Sequence, residues 1–253
     1  KTTTFNILNG FLQPTGGNCI IFGEDTQRLS PATKARIGFL IEGHIQYSFM
    51  NIHQIEKFYS GFYPKWKPAA YWELISKLNV SPTQKISNMS CGQRSQVALG
   101  LILAQNPDLL ILDDFSMGLD PGYRRLFIDY LREYAKAENK TIFTTSHIIQ
   151  DMERLIGDVL IIDYNKVLVQ SPVNQFIGSF MRFDFELEND QTDMKKVPFA
   201  VNVEKVKNKV EFYTYSSESD LKQYLDDNHI LVRNFAQVEM DLEGAFIGLT
   251  GKY

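Results

Sequence analysis

Two stretches of this chain decide its fold: Met89-Ser90-Cys91-Gly92-Gln93 and, after a helix-length segment, Leu109-Leu110-Ile111-Leu112-Asp113-Asp114. A Ser-x-Gly-Gln turn that opens a helix presents a hydroxyl and unpaired backbone N–H groups to an anion. An apolar strand that ends in two carboxylates presents hard oxygen ligands to a metal ion. Each pattern alone is also typical of an ordinary helix cap or of a strand that leaves the core, so the interpretation depends on their order and spacing.

Five motifs resemble those of the ATP-binding subunits of ABC transporters, and the resemblance extends over most of the chain. They are the end of a phosphate-binding Gly-rich loop at Lys1-Thr2-Thr3, the LSGGQ signature at Ser90 to Gln93, the Walker B strand at Leu109 to Asp113, the D-loop at Gly118-Leu119-Asp120-Pro121 and the switch-histidine loop at Ser146-His147. A single motif match is only a hypothesis. The agreement of all five in sequence order identifies the chain as similar to this family.

The resemblance implies an α/β fold with a P-loop NTPase core of the RecA-like type. Such a core has a mostly parallel sheet, an antiparallel β part and an inserted helical subdomain, and here a small α+β C-terminal domain would follow. We expect the ATPase domain, truncated at the P-loop, at residues 1–170, its helical subdomain at about 44–105 and the accessory domain at 171–253. Because Lys1 stands where a G-x-x-x-x-G-K-[ST] loop would close, we expect the native chain to continue upstream.

Local patterns predict the individual elements. Apolar residues at helical spacing predict helices between residues 52 and 88, with Ile52, Ile55 and Phe58 on one face. In the C-terminal part, alternating residues predict strands at 182–187, 201–206 and 210–215. Ser217 is placed to cap the helix that follows.

The resemblance assigns the nucleotide and the metal ion to residues at the start of the ATPase domain and at the end of the Walker B strand. Hydrolysing ATP requires a bound tetra-anion, neutralised charge on the transferring phosphoryl group and one positioned water. By the resemblance, Lys1 contacts the β and γ phosphates, and Thr2 and Thr3 also bind the nucleotide. Thr2 and Asp113 are the expected ligands of Mg²⁺. The implied cofactors are therefore ATP and Mg²⁺.

Three further side chains take catalytic positions by the resemblance, and two of them depart from the family pattern. His147 is expected to contact the γ-phosphate. Asp114 stands where relatives usually have the Glu that polarises the attacking water, and Glu42 stands where most have Gln. Asp114 withdraws its carboxylate by about one C–C bond, and a misplacement of about 1 Å can cost on the order of 10²-fold in rate. We therefore expect measurable but low turnover. The alternative is that a backbone shift or Glu42 compensates for the shorter side chain.

The resemblance also implies a head-to-tail ATP-sandwich dimer, because the signature cannot reach nucleotide bound by its own chain. Ser90, Gly92, Gln93 and Asp120 are then expected to contact ATP held by the opposite subunit. Cys91 replaces the first glycine of the signature, where a side chain that points away from nucleotide is tolerated. The dimer is either a homodimer or a heterodimer.

The net charge and the length of the apolar runs limit the classes of partner that we expect. A net charge of −4 and the lack of a long basic run argue against nucleic acid. The apolar runs fall short of the roughly 18 to 20 residues that span a bilayer. We therefore expect a separate transmembrane permease, with this chain cytoplasmic and peripheral on the inner face of the membrane.

Two parts of the chain are candidates for contact with the permease. His44 to Met50 directly follows the Q-loop position. The aromatic residues between Tyr59 and Trp72 are most simply core packing of the helices, and the alternative is a groove wall that receives a permease helix.

The leading hypothesis is the ATP-binding subunit of an exporter-type ABC transporter. A slow or inactive regulatory ABC subunit is one alternative, suggested by Glu42 and Asp114 together. A soluble ABC ATPase that acts on ribosomes or DNA is another, disfavoured by the acidic charge balance and by the single ATPase unit.

Overall fold

The computed structural model describes residues 2–40, 47–78, 80–116, 119–164, 166–189 and 191–251. The chain separates into two compact units, Lys1–Ile148 and Ile149–Tyr253. The domain boundary expected at residue 170 stays a prediction. Within the described ranges, no helix combines the length and apolar character needed to cross a bilayer.

A parallel sheet forms the centre of the first unit. Its strands are β3 (Ile37–Leu40), β4 (Leu109–Asp113) and β5 (Thr141–Thr145), in the order β3-β4-β5. The apolar run of β4 is buried almost throughout, as expected for a strand covered on both faces. Helix α1 (Thr2–Leu8) packs here through Phe5, whose ring stacks on Phe143 at 5.2 Å between centroids.

Further elements of the first unit complete this core. They are β1 (Ile20–Ile21), β2 (Glu24–Asp25), α2 (Pro31–Lys34) and α6 (Pro121–Ala137). Strands β1 and β2 pair antiparallel, so the unit combines a parallel sheet with an antiparallel β part. This agrees with the expected α/β fold class.

A helical part of the first unit contains α3 (Ile52–Ser60), α4 (Pro68–Ser76) and α5 (Cys91–Ala104). Ile52 and Ile55 are fully buried, whereas Phe58, expected on the same face, is 37% exposed. Tyr71 is also fully buried and belongs to one apolar cluster with Ile52 and Ile55. Trp66 and Trp72 pack against this cluster. The core-packing interpretation of the aromatic residues is thus confirmed for these three.

The second unit begins with α7 (Ile149–Glu153) and the antiparallel hairpin of β6 (Asp158–Asp163) and β7 (Lys166–Pro172). Helix α8 (Val173–Ser179) follows. A four-stranded antiparallel sheet, in the order β11-β8-β10-β9, consists of β8 (Met181–Leu187), β9 (Ala200–Val206), β10 (Lys209–Thr214) and β11 (Val232–Val238). The predicted strands at 182–187, 201–206 and 210–215 are therefore confirmed to within a residue.

Two helices accompany this sheet, α9 (Glu218–Asp227) and α10 (Leu242–Thr250). Ser217 caps α9 as predicted, because its side chain accepts a hydrogen bond from the backbone N–H of Asp220. One face of the sheet is apolar and packs with α9, whereas side chains such as Asp184 and Glu211 lie on the other face. Such alternation is typical of an antiparallel sheet with one buried face.

Replacing Tyr71 by Phe tests the packing of the helical part. Its hydroxyl donates a hydrogen bond of 3.0 Å to the backbone carbonyl of Ile52. Burial raises the pKa of Tyr71 well above its usual range. We expect Tyr71→Phe to lower the free energy of unfolding by about 1 kcal/mol, because a buried hydrogen bond between Tyr71 and α3 is lost. Denaturant unfolding measures the change, and Tyr164→Phe, at a side chain 91% exposed, is the control that should lose nothing. Equal stability of the two variants would contradict the packing described.

Candidate functional site

The carboxyl ends of β4 and β5 bring site residues together. Asp113 is the last residue of β4 and lies opposite Thr145, the last residue of β5. The Thr145 hydroxyl donates a hydrogen bond of 2.7 Å to Oδ1 of Asp113. Asp113 is only 6% exposed. In open parallel sheets this edge is where ligands bind, so a buried carboxylate here is a candidate metal ligand.

Asp114 leaves the strand in a left-handed conformation, with φ of 46°. Its backbone N–H is shared between the carbonyl of Thr145, at 3.2 Å, and the hydroxyl of Thr145, at 3.3 Å. Aspartate adopts this conformation at less cost than most residues because its short polar side chain can bond locally. The turn keeps Asp114 buried beside Asp113.

His147 lies beside the Asp114 carboxylate. Its backbone N–H donates to Oδ1 of Asp114 at 3.4 Å, and its Nε2 lies 3.3 Å from Oδ2. The imidazole is 67% exposed while the Asp114 side chain is 7% exposed. Although Nε2 is within ion-pair distance, Oδ2 accepts no hydrogen bond of good geometry from any described residue. A buried carboxylate oxygen in this condition is suited to accept a hydrogen bond from a water or ligand.

The signature residues lie at the start of α5. The backbone N–H of Gln93 donates to Oγ of Ser90 at 3.2 Å, and the backbone N–H of Ser90 donates to Oε1 of Gln93 at 2.9 Å. This is a capping box, so the ordinary helix-cap interpretation holds for both residues. The capping box leaves the Ser90 hydroxyl able to donate, because the hydroxyl accepts in this bond and keeps its hydrogen.

Gly92 faces the ring of Tyr123. A Cβ there would lie 3.2 Å from Cδ2 of Tyr123 on α6, tighter than ordinary contact. Cys91, by contrast, is exposed and tolerates a side chain. The signature turn therefore presents Ser90 on its surface, and Gly92 lies beside Tyr123 of α6.

The other predicted site residues have separate places. Thr2 and Thr3 are exposed in the first turn of α1. Asp120 is the exposed N-cap residue of α6 and makes no side-chain capping bond. Lys1, Glu42 and Gly118 lie outside the described residues. The structure thus joins Asp113, Asp114 and His147 into one group and forms Ser90, Gly92 and Gln93 into another.

Thr145 belongs to the first group but was not singled out from the sequence. The run Thr141 to Thr145 indicated only a strand, because hydroxyl residues are common in strands. The available signal was positional. A threonine that ends one parallel strand, just before Ser146-His147, can face an acid that ends the neighbouring strand.

Comparisons with known proteins show which family this chain resembles. Residues 1–116 match the family model described as ABC transporter. The chain is 26% identical over 259 residues to the bacitracin transport ATP-binding protein BcrA of Bacillus licheniformis, an alignment that covers 99% of this chain and 85% of that protein. These matches support an ABC nucleotide-binding domain.

Two further relatives carry different transport directions in their names. The Nod factor export ATP-binding protein I of Cupriavidus metallidurans is 28% identical, over 71% of this chain and 60% of its own length. The thiamine import ATP-binding protein ThiQ of a Jannaschia species is 27% identical, over 71% of this chain and 80% of its own length. The chain thus spans less than two thirds of the Nod factor protein.

A solved structure agrees in fold. It is described as the dimeric post-hydrolysis state of the ATP-binding cassette MJ0796 bound to ADP and Pi, with a TM-score of 0.59 and 18% identity. The match covers 68% of this chain and 79% of that chain. The expected P-loop ATPase fold is therefore confirmed.

The capping box at Ser90 gives a test of the signature turn. We expect Ser90→Ala to lower the free energy of unfolding by about 1 kcal/mol, because the N–H of Gln93 loses its acceptor. Ser90→Asp should keep stability, since Asp is as good a cap as Ser. Denaturant unfolding measures both variants, with Ser217→Ala, which breaks the capping box of α9, as the matched control. An unchanged stability in Ser90→Ala alone would show that the Ser90 capping bond contributes nothing.

Proposed function

We propose that this chain, which carries an ABC-type nucleotide-binding domain, binds ATP with Mg²⁺, hydrolyses it and thereby drives a separate transmembrane permease. The observation that carries the proposal is the buried pair of Asp113 and Asp114 at the carboxyl ends of the strands, with His147 beside it. Two adjacent buried carboxylates are costly unless they serve a cation or a reacting group. Their position matches what phosphoryl transfer requires.

Magnesium fits the residues of this site. Mg²⁺ is usually held by one or two carboxylates together with phosphates and waters. Asp113 supplies one buried carboxylate, and the hydrogen bond to Thr145 uses one of its two oxygens. Asp113 and Thr2 would hold Mg²⁺, which when bound neutralises charge on the phosphates. Lys1 and Thr3 are proposed as further contacts of the nucleotide.

Asp114 is proposed to orient the attacking water. Its Oδ2 is buried and accepts no hydrogen bond of good geometry from any described residue, so a water there would satisfy it. His147, with Nε2 at 3.3 Å from Oδ2 of Asp114, is proposed to sense the γ-phosphate. The shorter reach of Asp than of Glu favours low turnover, and Glu42 is proposed as the second acid of the site.

The signature turn is proposed to complete the site of a second subunit. Ser90 is exposed at the positive end of the 14-residue helix α5, where an anion is stabilised by the helix dipole and by unpaired N–H groups. Gln93 holds the Ser90 backbone in place through the capping box. Ser90, Gly92, Gln93 and Asp120 would thus contact ATP bound by the opposite chain, in a homodimer or a heterodimer.

The permease is proposed to dock on an aromatic patch. Four exposed rings form this patch: Tyr47, Phe49, Phe58 and Phe62. Tyr47 contacts Phe58 edge-on at 5.0 Å, and Phe58 contacts Phe62 at 5.1 Å. Exposed aromatic groups of this kind are typical of interface cores. An apolar face of a permease helix is the occupant we propose.

Export is the direction we propose, with the chain at the cytoplasmic face of the membrane. Two features support this direction: the small second unit at residues 149–253, which the family resemblance associates with exporters, and the Nod factor export protein among the relatives. A regulatory subunit that binds ATP with little hydrolysis is the second candidate. It is favoured by Glu42 and Asp114, which stand where relatives usually have Gln and Glu.

The Asp114→Asn variant tests the catalytic assignment. Asparagine also tolerates the left-handed backbone, so the fold should remain. The amide is a poorer acceptor and cannot take a proton, and we expect turnover to fall by about 10²-fold or more while ATP binding persists. Steady-state ATP hydrolysis and nucleotide binding are the measurements. Asp226→Asn, at an exposed position of α9, is the control that should keep wild-type turnover. Full activity in Asp114→Asn would refute the role.

The Phe62→Ser variant tests the aromatic patch. Phe62 is 65% exposed, and removing its ring should weaken co-purification with the permease because apolar contact area is lost. Leu231→Ser, at a side chain 66% exposed in the second unit, is matched in exposure and should not weaken it. The measurement is the fraction of permease retained by each variant at equal expression. Equal retention by both variants would place the permease elsewhere.

A further inference from the structure

We propose that Thr145 is a positioning residue for ATP hydrolysis, which fixes the Asp113 carboxylate for Mg²⁺ and the Asp114 turn for the water. The inference rests on the proposed ATPase function. It concerns a residue that would contact neither nucleotide nor metal directly. Thr145 acts instead through the two acids on the neighbouring strand.

The Thr145 hydroxyl connects both acids in one chain of hydrogen bonds. It accepts from the backbone N–H of Asp114 at 3.3 Å and donates to Oδ1 of Asp113 at 2.7 Å. Donor and acceptor directions are consistent, because a hydroxyl has one hydrogen to give and lone pairs to accept. A single group therefore sets the orientation of one carboxylate and the backbone of the next residue.

The bond to Asp113 is the stronger of the two. A hydroxyl that donates to a carboxylate at this short distance makes a charge-assisted hydrogen bond, roughly twice as strong as a neutral one. Asp113 is 6% exposed, so solvent competes little for Oδ1. With Oδ1 engaged by Thr145, the carboxylate is oriented to present its other oxygen. Outer-shell partners of metal ligands typically contribute about 10- to 100-fold in metal affinity or activity.

The neighbouring threonine provides a matched comparison. The Thr144 hydroxyl donates to the backbone carbonyl of Leu112 at 3.0 Å and to that of Thr145 at 3.3 Å. It has the same side chain on the same strand, and both of these bonds are to backbone atoms. If the hydroxyls of this strand had only a structural role, substituting Thr144 and substituting Thr145 would have the same effect.

The experiment compares Thr145→Val, Thr145→Ala, Thr145→Ser and Thr144→Val in the full-length protein. Valine keeps the shape and suits a strand, whereas serine restores the hydroxyl. Three quantities are measured: the Mg²⁺ concentration for half-maximal ATP turnover, the affinity of the ATP-bound protein for Mn²⁺ by electron paramagnetic resonance, and the melting temperature without nucleotide.

We expect Thr145→Val and Thr145→Ala to raise the Mg²⁺ requirement and weaken Mn²⁺ binding by about 10- to 100-fold. Thr145→Ser should restore both quantities, and Thr144→Val should change neither. A wild-type metal requirement in the valine and alanine variants, or an equal shift in Thr144→Val, would overturn the positioning role. If either Thr145→Val or Thr145→Ala fails to fold, the metal requirement of the other variant decides. A wild-type protein without Mg²⁺-dependent ATP binding would instead overturn the proposed function itself.

Discussion

The parallel register of β4 and β5 is the constraint on which the site depends. It sets Asp113 opposite Thr145 at the ends of the two strands. Asp114 follows β4, and the turn to His147 follows β5. Because side chains alternate along a strand, a slip of one residue would move Asp113 to the other face of the sheet. The pairing of β4 with β5, which runs from Leu109 opposite Thr141 to Asp113 opposite Thr145, is therefore what holds the acids in place.

The acids are a cost to folding that the surrounding contacts reduce only in part. Asp113 and Asp114 are each 6% exposed, and burying a carboxylate is unfavourable without a partner. The described donors are the hydroxyl of Thr145 and the backbone N–H of His147, with Nε2 of His147 at ion-pair distance. Asp114 adds a left-handed backbone to this cost. Such a concentration of unfavourable features at one sheet edge is typical of sites retained for chemistry.

Much of this fold follows from sequence because its elements obey local rules. The apolar run to Asp113 gave the central strand, and Ser217 gave the start of α9 through its cap. The site was harder to predict, because the Thr145 to Asp113 bond joins residues 32 positions apart. No local pattern encodes such a pairing. Phe58 shows the same limit, since helical spacing predicted it to be buried and the structure leaves it 37% exposed. The assigned roles of Ser90, Thr2 and Asp120 stay predictions, since the structure shows their places and not their ligands.

The most direct test of the account is the ATP turnover of the full-length wild-type protein, with and without its detergent-solubilised permease. We predict Mg²⁺-dependent hydrolysis that is low for the chain alone and rises when the permease is present. Tight ATP binding with no hydrolysis in either condition would contradict it, and would favour a regulatory subunit whose competent site lies on another chain.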